Sequence, residues 1–101
     1  MKDIEINVKS TEQFIQECTA VFNEMMEIVD KKSNDYGIEC WQILGEKGVF
    51  VDLNRKYWRL KSLIWEGNKN MVKDEKVYET ILDMANHCLQ MAILMKYKEK
   101  K

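Results

Sequence analysis

The sequence predicts an all-α fold, three long helices plus a short helix or loop forming a helical bundle, on three observations. Four Gly and no Pro in 101 residues are too few turn residues for a strand-and-turn architecture, and they argue against a disordered linker. Apolar residues recur at steps of three and four along three long stretches, which places them on single helical faces. Hydrophobic residues make up 46% of a 12.1 kDa chain, room for a single helical domain over 1–101 with one core and hardly for two.

Ile4, Ile6 and Val8 alternate, so residues 1–9 are expected to be extended. In Ser10-Thr11-Glu12-Gln13 a hydroxyl stands three residues before a Gln, the spacing of a capping box, and a helix starts there. Phe14, Cys18, Val21, Met25 and Ile28 then share one face, predicting a first helix to about Lys32. Ser33-Asn34-Asp35-Tyr36-Gly37 is expected to be a loop, because its side chains compete for backbone hydrogen bonds and Gly37 accepts positive φ.

Residues 38–44 can make a short helix carrying Trp41, with Gly45-Glu46-Lys47-Gly48 as a second bend. From Val49 the spacing returns at Phe50, Leu53, Tyr57, Leu60 and Ile64, a second long helix stopped by Gly67-Asn68. A third helix begins after Asp74 as N-cap and carries Val77, Ile81, Met84, Cys88, Met91 and Met95 on one seam. Its second apolar row, Tyr78, Leu82, Ala85, Leu89 and Ile93, predicts burial on two sides, and three short-chain helices cannot supply both. An isologous contact in a homo-oligomer is therefore expected. Lys96, Lys98, Lys100 and Lys101 form a basic tail over 96–101 that suits the C-terminal end of a helix dipole.

Sixteen Lys and Arg against 17 Asp and Glu leave a net charge of -1, so direct binding of duplex DNA is not expected. The longest apolar runs, such as Met91 to Met95, fall far short of the roughly 20 residues that span a bilayer. The polar start Met1-Lys2-Asp3-Ile4-Glu5 does not resemble a signal peptide. A cytoplasmic protein with no membrane partner is the expectation. Cys18, Cys40 and Cys88 are odd in number and lack CxxC spacing, which favours reduced core thiols over disulfides. GxSxG, HExxH and GxxxxGK[ST] are all missing, which disfavours nucleophilic hydrolase and P-loop chemistry.

Three constellations carry potential chemistry. Glu24 and Glu27, with Asp30 a turn further on, form an oxygen-rich face of the kind Mg²⁺ requires. One helix would leave the ion mostly hydrated, so a second pair is needed, and Glu79 with Asp83 on the third helix can supply it; the alternative is two solvated faces paired with lysines. Lys31 and Lys32, with Tyr36 and Trp41, offer charge for a phosphate and aromatic rings for a planar base. Lys56 and Arg59 lie one turn apart, near Lys61, where they can grip a phosphate or form an exposed basic face with Tyr57 in the core. Trp58 and Trp65, seven apart, fit packing better than base stacking. His87, the only histidine, follows Asn86 and lies one turn after Asp83, placed for acid-base work or for a structural hydrogen bond.

Taken together, Lys32-x-x-Asp35-Tyr36-Gly37, Trp41, Gly45 and Gly48, Asp52, Lys56-x-x-Arg59-Leu60 and Asp83-x-x-Asn86 resemble the nucleotide modification associated domain type 1 family, small proteins that are often phage-encoded. The resemblance runs from roughly Glu24 to Met95. That family is in turn similar to the all-α nucleotide pyrophosphohydrolases (MazG-like), helical oligomers that hold Mg²⁺ between a Glu-x-x-Glu helix and a Glu-x-x-Asp helix. Glu24-x-x-Glu27 matches the first half. In the second, Glu79 and Asp83 are four apart, Asn86 stands in place of a carboxylate, and His87 replaces the smaller family's usual Tyr. Each missing carboxylate weakens the hold on a divalent ion.

The resemblance implies a nucleotide ligand, cyclic oligonucleotides included, bound by Lys32, Asp35, Tyr36, Trp41, Lys56, Arg59, Asn86 and His87 and sequestered without obligatory chemistry, as a phage would need against nucleotide signals of host defence. One alternative is a Mg²⁺-dependent nucleotide pyrophosphohydrolase with Glu24, Glu27, Glu79 and Asp83 on the metal. The other is a non-catalytic protein interaction module.

Overall fold

The structure is a computed structural model that describes residues 5–100; the alternation at Ile4 and the tail's Lys101 lie outside the described residues. Helix α1 spans Thr11–Tyr36. Ser10 caps it by accepting the Gln13 N–H at 3.1 Å. The Gln13 side chain accepts the Lys9 N–H at 2.6 Å, so the reciprocal half of the box closes one residue before the cap. The helix runs through the expected loop at 33–36, because Gly37 alone supplies the stop. At φ 80 Gly37 turns the chain, and its N–H bonds the Ser33 carbonyl at 2.9 Å.

Helix α2 spans Cys40–Leu60 and includes the short helix expected before Val49, and the bend expected at 45–48 is present as a break in its axis at Gly45 (φ 69, ψ -166). Those dihedrals belong to glycine, since a Cβ would meet its own backbone. Gly48 is required for a different reason: a Cβ there would collide with the Leu44 side chain, which folds over it at the kink. Gly45→Ala meets no neighbouring atom, so its cost is backbone strain alone, about 1–3 kcal/mol of unfolding free energy. A urea titration measures it, and an unchanged midpoint would show that the kink is not strained.

The last turn of α2 widens into a π-helical turn over Lys61–Trp65, and Gly67 (φ 71) ends it as expected. Helix α3 spans Val77–Glu99. The expected N-cap Asp74 is not the cap. Lys76 occupies that position with no side-chain bond, and Asp74 lies inside a turn closed by the Glu75 N–H on the Val72 carbonyl at 3.2 Å. The intervening strap is organised by Asn70, whose Oδ1 accepts the Val72 N–H at 3.2 Å and whose Nδ2 donates to the Glu75 carbonyl at 3.1 Å. Lys96 and Lys98 sit within the last turn of α3, so most of the basic tail is helix.

Among the described residues there is no strand, and no helix is long and apolar enough to cross a membrane. Helix α2 packs along α3, while α1 touches α3 with its second half. The core is small: Met25, Val49 and Leu82, with Thr80. The faces turned inward match those expected only in part, Leu53 and Leu60 being half-buried as expected. On α2, Phe50, Tyr57 and Ile64 are 63%, 48% and 58% exposed, and the inner stripe carries Val49, Asp52, Leu53, Lys56 and Leu60. On α3 Leu82 of the second row is buried and Val77, Met84, Met91 and Met95 of the seam are half-buried, while Ile81 and Cys88 of the seam and Tyr78 and Ile93 of the second row are exposed. Cys18, Cys40 and Cys88 are all exposed free thiols within one chain, correcting their reading as core thiols. Adjacent rows on a helix share the same period, so spacing alone cannot choose between them.

Phe14, Ile15 and Phe22 lie exposed on the first half of α1. The chain is 46 × 36 × 26 Å with a radius of gyration of 15.8 Å, against about 13 Å for a compact domain of this length.

Candidate functional site

The C-terminal end of α1, the kinked start of α2 and the middle of α3 surround a cleft of about 640 Å³. Gly37 and Gly45 create it: the first ends α1, and the second bends α2, so that Trp41 and Leu44 on its first turns line the cleft along with Asp52, Arg55 and Lys56. Met26, Val29, Leu89 and Ile93 give it apolar walls.

Six of the eight residues expected to bind ligand line this cleft: Lys32, Tyr36, Trp41, Lys56, Asn86 and His87. Tyr36 is 76% exposed and stands at the rim. His87 Nδ1 pairs with Gln90 Oε1 at 3.0 Å. Asp35 and Arg59 do not line the cleft. Asp35 is exposed on the last turn of α1. Arg59 points into the strap, where its Nε donates to Thr80 Oγ1 at 3.0 Å and its Nη2 donates to the Glu75 carbonyl at 2.6 Å and to Asn70 Oδ1 at 3.2 Å. It ties α2 to the chain entering α3. Lys56 and Arg59 share a face on paper, but one turn is enough to send them to different environments.

The electrostatic centre is Asp83. Lys32 Nζ contacts its Oδ1 at 2.6 Å, and Lys56 Nζ contacts its Oδ2 at 3.4 Å while also approaching Glu75 Oε1 at 3.6 Å. Burial pushes the Asp83 carboxyl up, but hydrogen bonding and attraction from Lys32, then from Lys56, outweigh it, and the carboxyl titrates below the ordinary carboxylate range. The stability this contributes is present above the unfolded-state value, near 4, and is lost as pH falls through the lower folded value. The stability difference between the native protein and Asp83→Asn is expected to be constant from pH 8 to about 5 and to close as pH falls below about 4, through the lower folded value. Urea midpoints across that range measure it, and a gap that persists unchanged at pH 3 would exclude the mechanism.

Arg55 and Asp52 form a second ion pair on the cleft wall. Arg55 was missed by sequence reasoning, although its place beside Lys56 and three residues after Asp52 was a usable signal.

The expected Mg²⁺ ligands do not assemble. Glu24 accepts the Tyr78 hydroxyl at 2.6 Å, a bond that holds the Tyr78 phenol above its ordinary value. Glu79 and Asp83 share a small recess with Glu75, Lys32 and Ile28, where both Asp83 oxygens already face ammonium groups. Among the described residues no three His, Cys, Asp or Glu are grouped to hold a metal ion. The carboxylates of a single chain therefore do not fit a resident Mg²⁺.

Chemically, the cleft offers cations for a phosphate, the exposed Tyr36 and half-buried Trp41 rings for a planar group, and amide and imidazole groups for a polar edge. Comparison of the chain with protein-family models, with curated proteins and with solved structures found no match in any of the three.

Proposed function

We propose that the protein is a nucleotide-binding helical oligomer that sequesters its ligand without obligatory chemistry, the role a phage would use against nucleotide signals, cyclic ones included. The observation that carries this reading is the convergence of Lys32 and Lys56 from two helices with Tyr36 and Trp41 in one cleft. Its volume, about 640 Å³, lies within the roughly 300–1,000 Å³ of small-molecule sites. The test is to incubate the purified protein with nucleoside triphosphates and cyclic oligonucleotides, with and without Mg²⁺, then to denature it and identify the released species by mass spectrometry. Intact nucleotide is the expected result. Product that appears only with Mg²⁺ replaces this reading with a pyrophosphohydrolase, and a protein that retains nothing is left as an interaction module.

Self-assembly is supported by surface area. The chain exposes 8667 Å², where a compact monomer of its mass exposes about 6,000 Å². The excess is of the size each partner contributes to a large obligate interface, about 1,000–2,500 Å² per chain, and the exposed Phe14, Phe22, Phe50, Trp58 and Trp65 are the aromatic residues enriched in such contacts. Sedimentation equilibrium at micromolar concentration is expected to give at least twice 12.1 kDa. A monomer throughout that range would remove the oligomer from the proposal.

A further inference from the structure

The cleft's charges nearly balance. Lys32, Arg55 and Lys56 face Asp52 and Asp83 across it, three positive charges against two negative, leaving one in excess. Arg55 is engaged by Asp52, so the cations facing Asp83 are the two lysines. Neither is unpaired: Lys32 meets one oxygen of Asp83 and Lys56 the other, and the Asp83 side chain is only 20% exposed. Asp83 is thus the counter-ion the two lysines share, and Lys56 Nζ also lies 3.6 Å from Glu75 Oε1, outside the cleft lining. A phosphate that reaches both ammonium groups must share them with a carboxylate a few ångströms away, in a site partly shielded from water, where like charges repel more strongly than in solvent. One ligand charge is matched by the excess, and each further charge is unmatched.

We propose that Asp83 sets the charge of the ligand, so that the cleft takes a nucleoside phosphodiester, which carries a single negative charge, in preference to a nucleoside triphosphate. The inference rests on the nucleotide-binding reading above and makes Asp83 a specificity determinant instead of a metal ligand. The two roles predict opposite signs. Removing a metal ligand weakens the binding of a Mg²⁺-triphosphate, whereas removing the counter-ion frees Lys32 and Lys56 and strengthens the binding of a triphosphate.

The experiment is calorimetric titration of the native protein and of Asp83→Asn with 3′,5′-cyclic AMP and ATP, and with 3′,5′-cyclic GMP and GTP, each in EDTA and again in Mg²⁺. Native protein is expected to favour the cyclic diester by about tenfold or more. Asp83→Asn is expected to gain about tenfold for the triphosphate relative to the diester, and Asp83→Glu to keep the native preference. An unchanged diester-to-triphosphate ratio in Asp83→Asn, or weaker triphosphate binding only in Mg²⁺, overturns the inference while leaving nucleotide binding in place. Failure of both proteins to bind any of the four, with native helical circular dichroism, removes the nucleotide reading and the inference together. The native protein's own preference needs no variant, so a triphosphate bound as tightly as the diester overturns the inference even where Asp83→Asn does not fold.

Discussion

Arg59→Met is expected to lower the unfolding free energy by about 2–4 kcal/mol while leaving ligand affinity within about twofold, on the scale of roughly 1.5–3 kcal/mol for a hydrogen bond made by a charged group, without simple additivity. Its side chain is 19% exposed and donates to three acceptors: Thr80 Oγ1, the Glu75 carbonyl and Asn70 Oδ1. It also approaches Glu75 Oε1 at 3.6 Å. Methionine fills the space of the aliphatic stem and leaves these acceptors to weaker partners. Lysine keeps the charge near Glu75 but lacks the planar fork that reaches several acceptors at once, so Arg59→Lys is expected to fall between the two. Urea unfolding gives the stabilities, and calorimetry on the folded variant gives the affinity. A large loss of nucleotide affinity with unchanged stability would return Arg59 to the ligand.

The second large effect concerns the two lysines. Lys32→Gln and Lys56→Gln each remove one cation from the cleft while keeping the length of a polar side chain. Each is expected to weaken nucleotide binding by about 10- to 100-fold, the equivalent of one charge-assisted hydrogen bond, and the double variant by at least about 100-fold. Stability should change little by comparison, because these ion pairs are partly solvated, with side-chain exposures of 49% for Lys32 and 25% for Lys56. Fluorescence of the cleft's Trp41 or calorimetry reads the affinity. Full affinity in the double variant would place the ligand elsewhere, since Lys32 and Lys56 are the cations that meet at Asp83.

The contrast between Lys56 and Arg59 shows where sequence reasoning stops. Both are basic, one turn apart, and chemically suited to a phosphate, yet one enters the cleft and the other anchors the strap. What separates them is Asn70 and the Glu75 carbonyl in the connection between α2 and α3, with Thr80 on the first turn of α3. Nothing in local spacing announces that connection. Glu24 is a similar case: its spacing with Glu27 fits a metal helix, but the Tyr78 hydroxyl from another helix takes its carboxylate.

The all-α class, the helical capping by Ser10, the positive φ of Gly37, the stop at Gly67, and the choice of Lys32, Tyr36, Trp41, Lys56, Asn86 and His87 as candidates were legible from the chain alone. These depend on local chemistry: cap side chains, positive-φ glycines, helical period and the residue types that suit phosphates and planar rings. Tertiary structure alone decided which apolar residues of α2 and α3 face inward, that the bend expected at 45–48 opens a cleft, and that Asp83 stands between two lysines. Those outcomes depend on the rotation and relative position of whole helices. They arise from long-range packing and pairing between residues such as Lys32 and Asp83, 51 positions apart, for which a helical repeat carries no information.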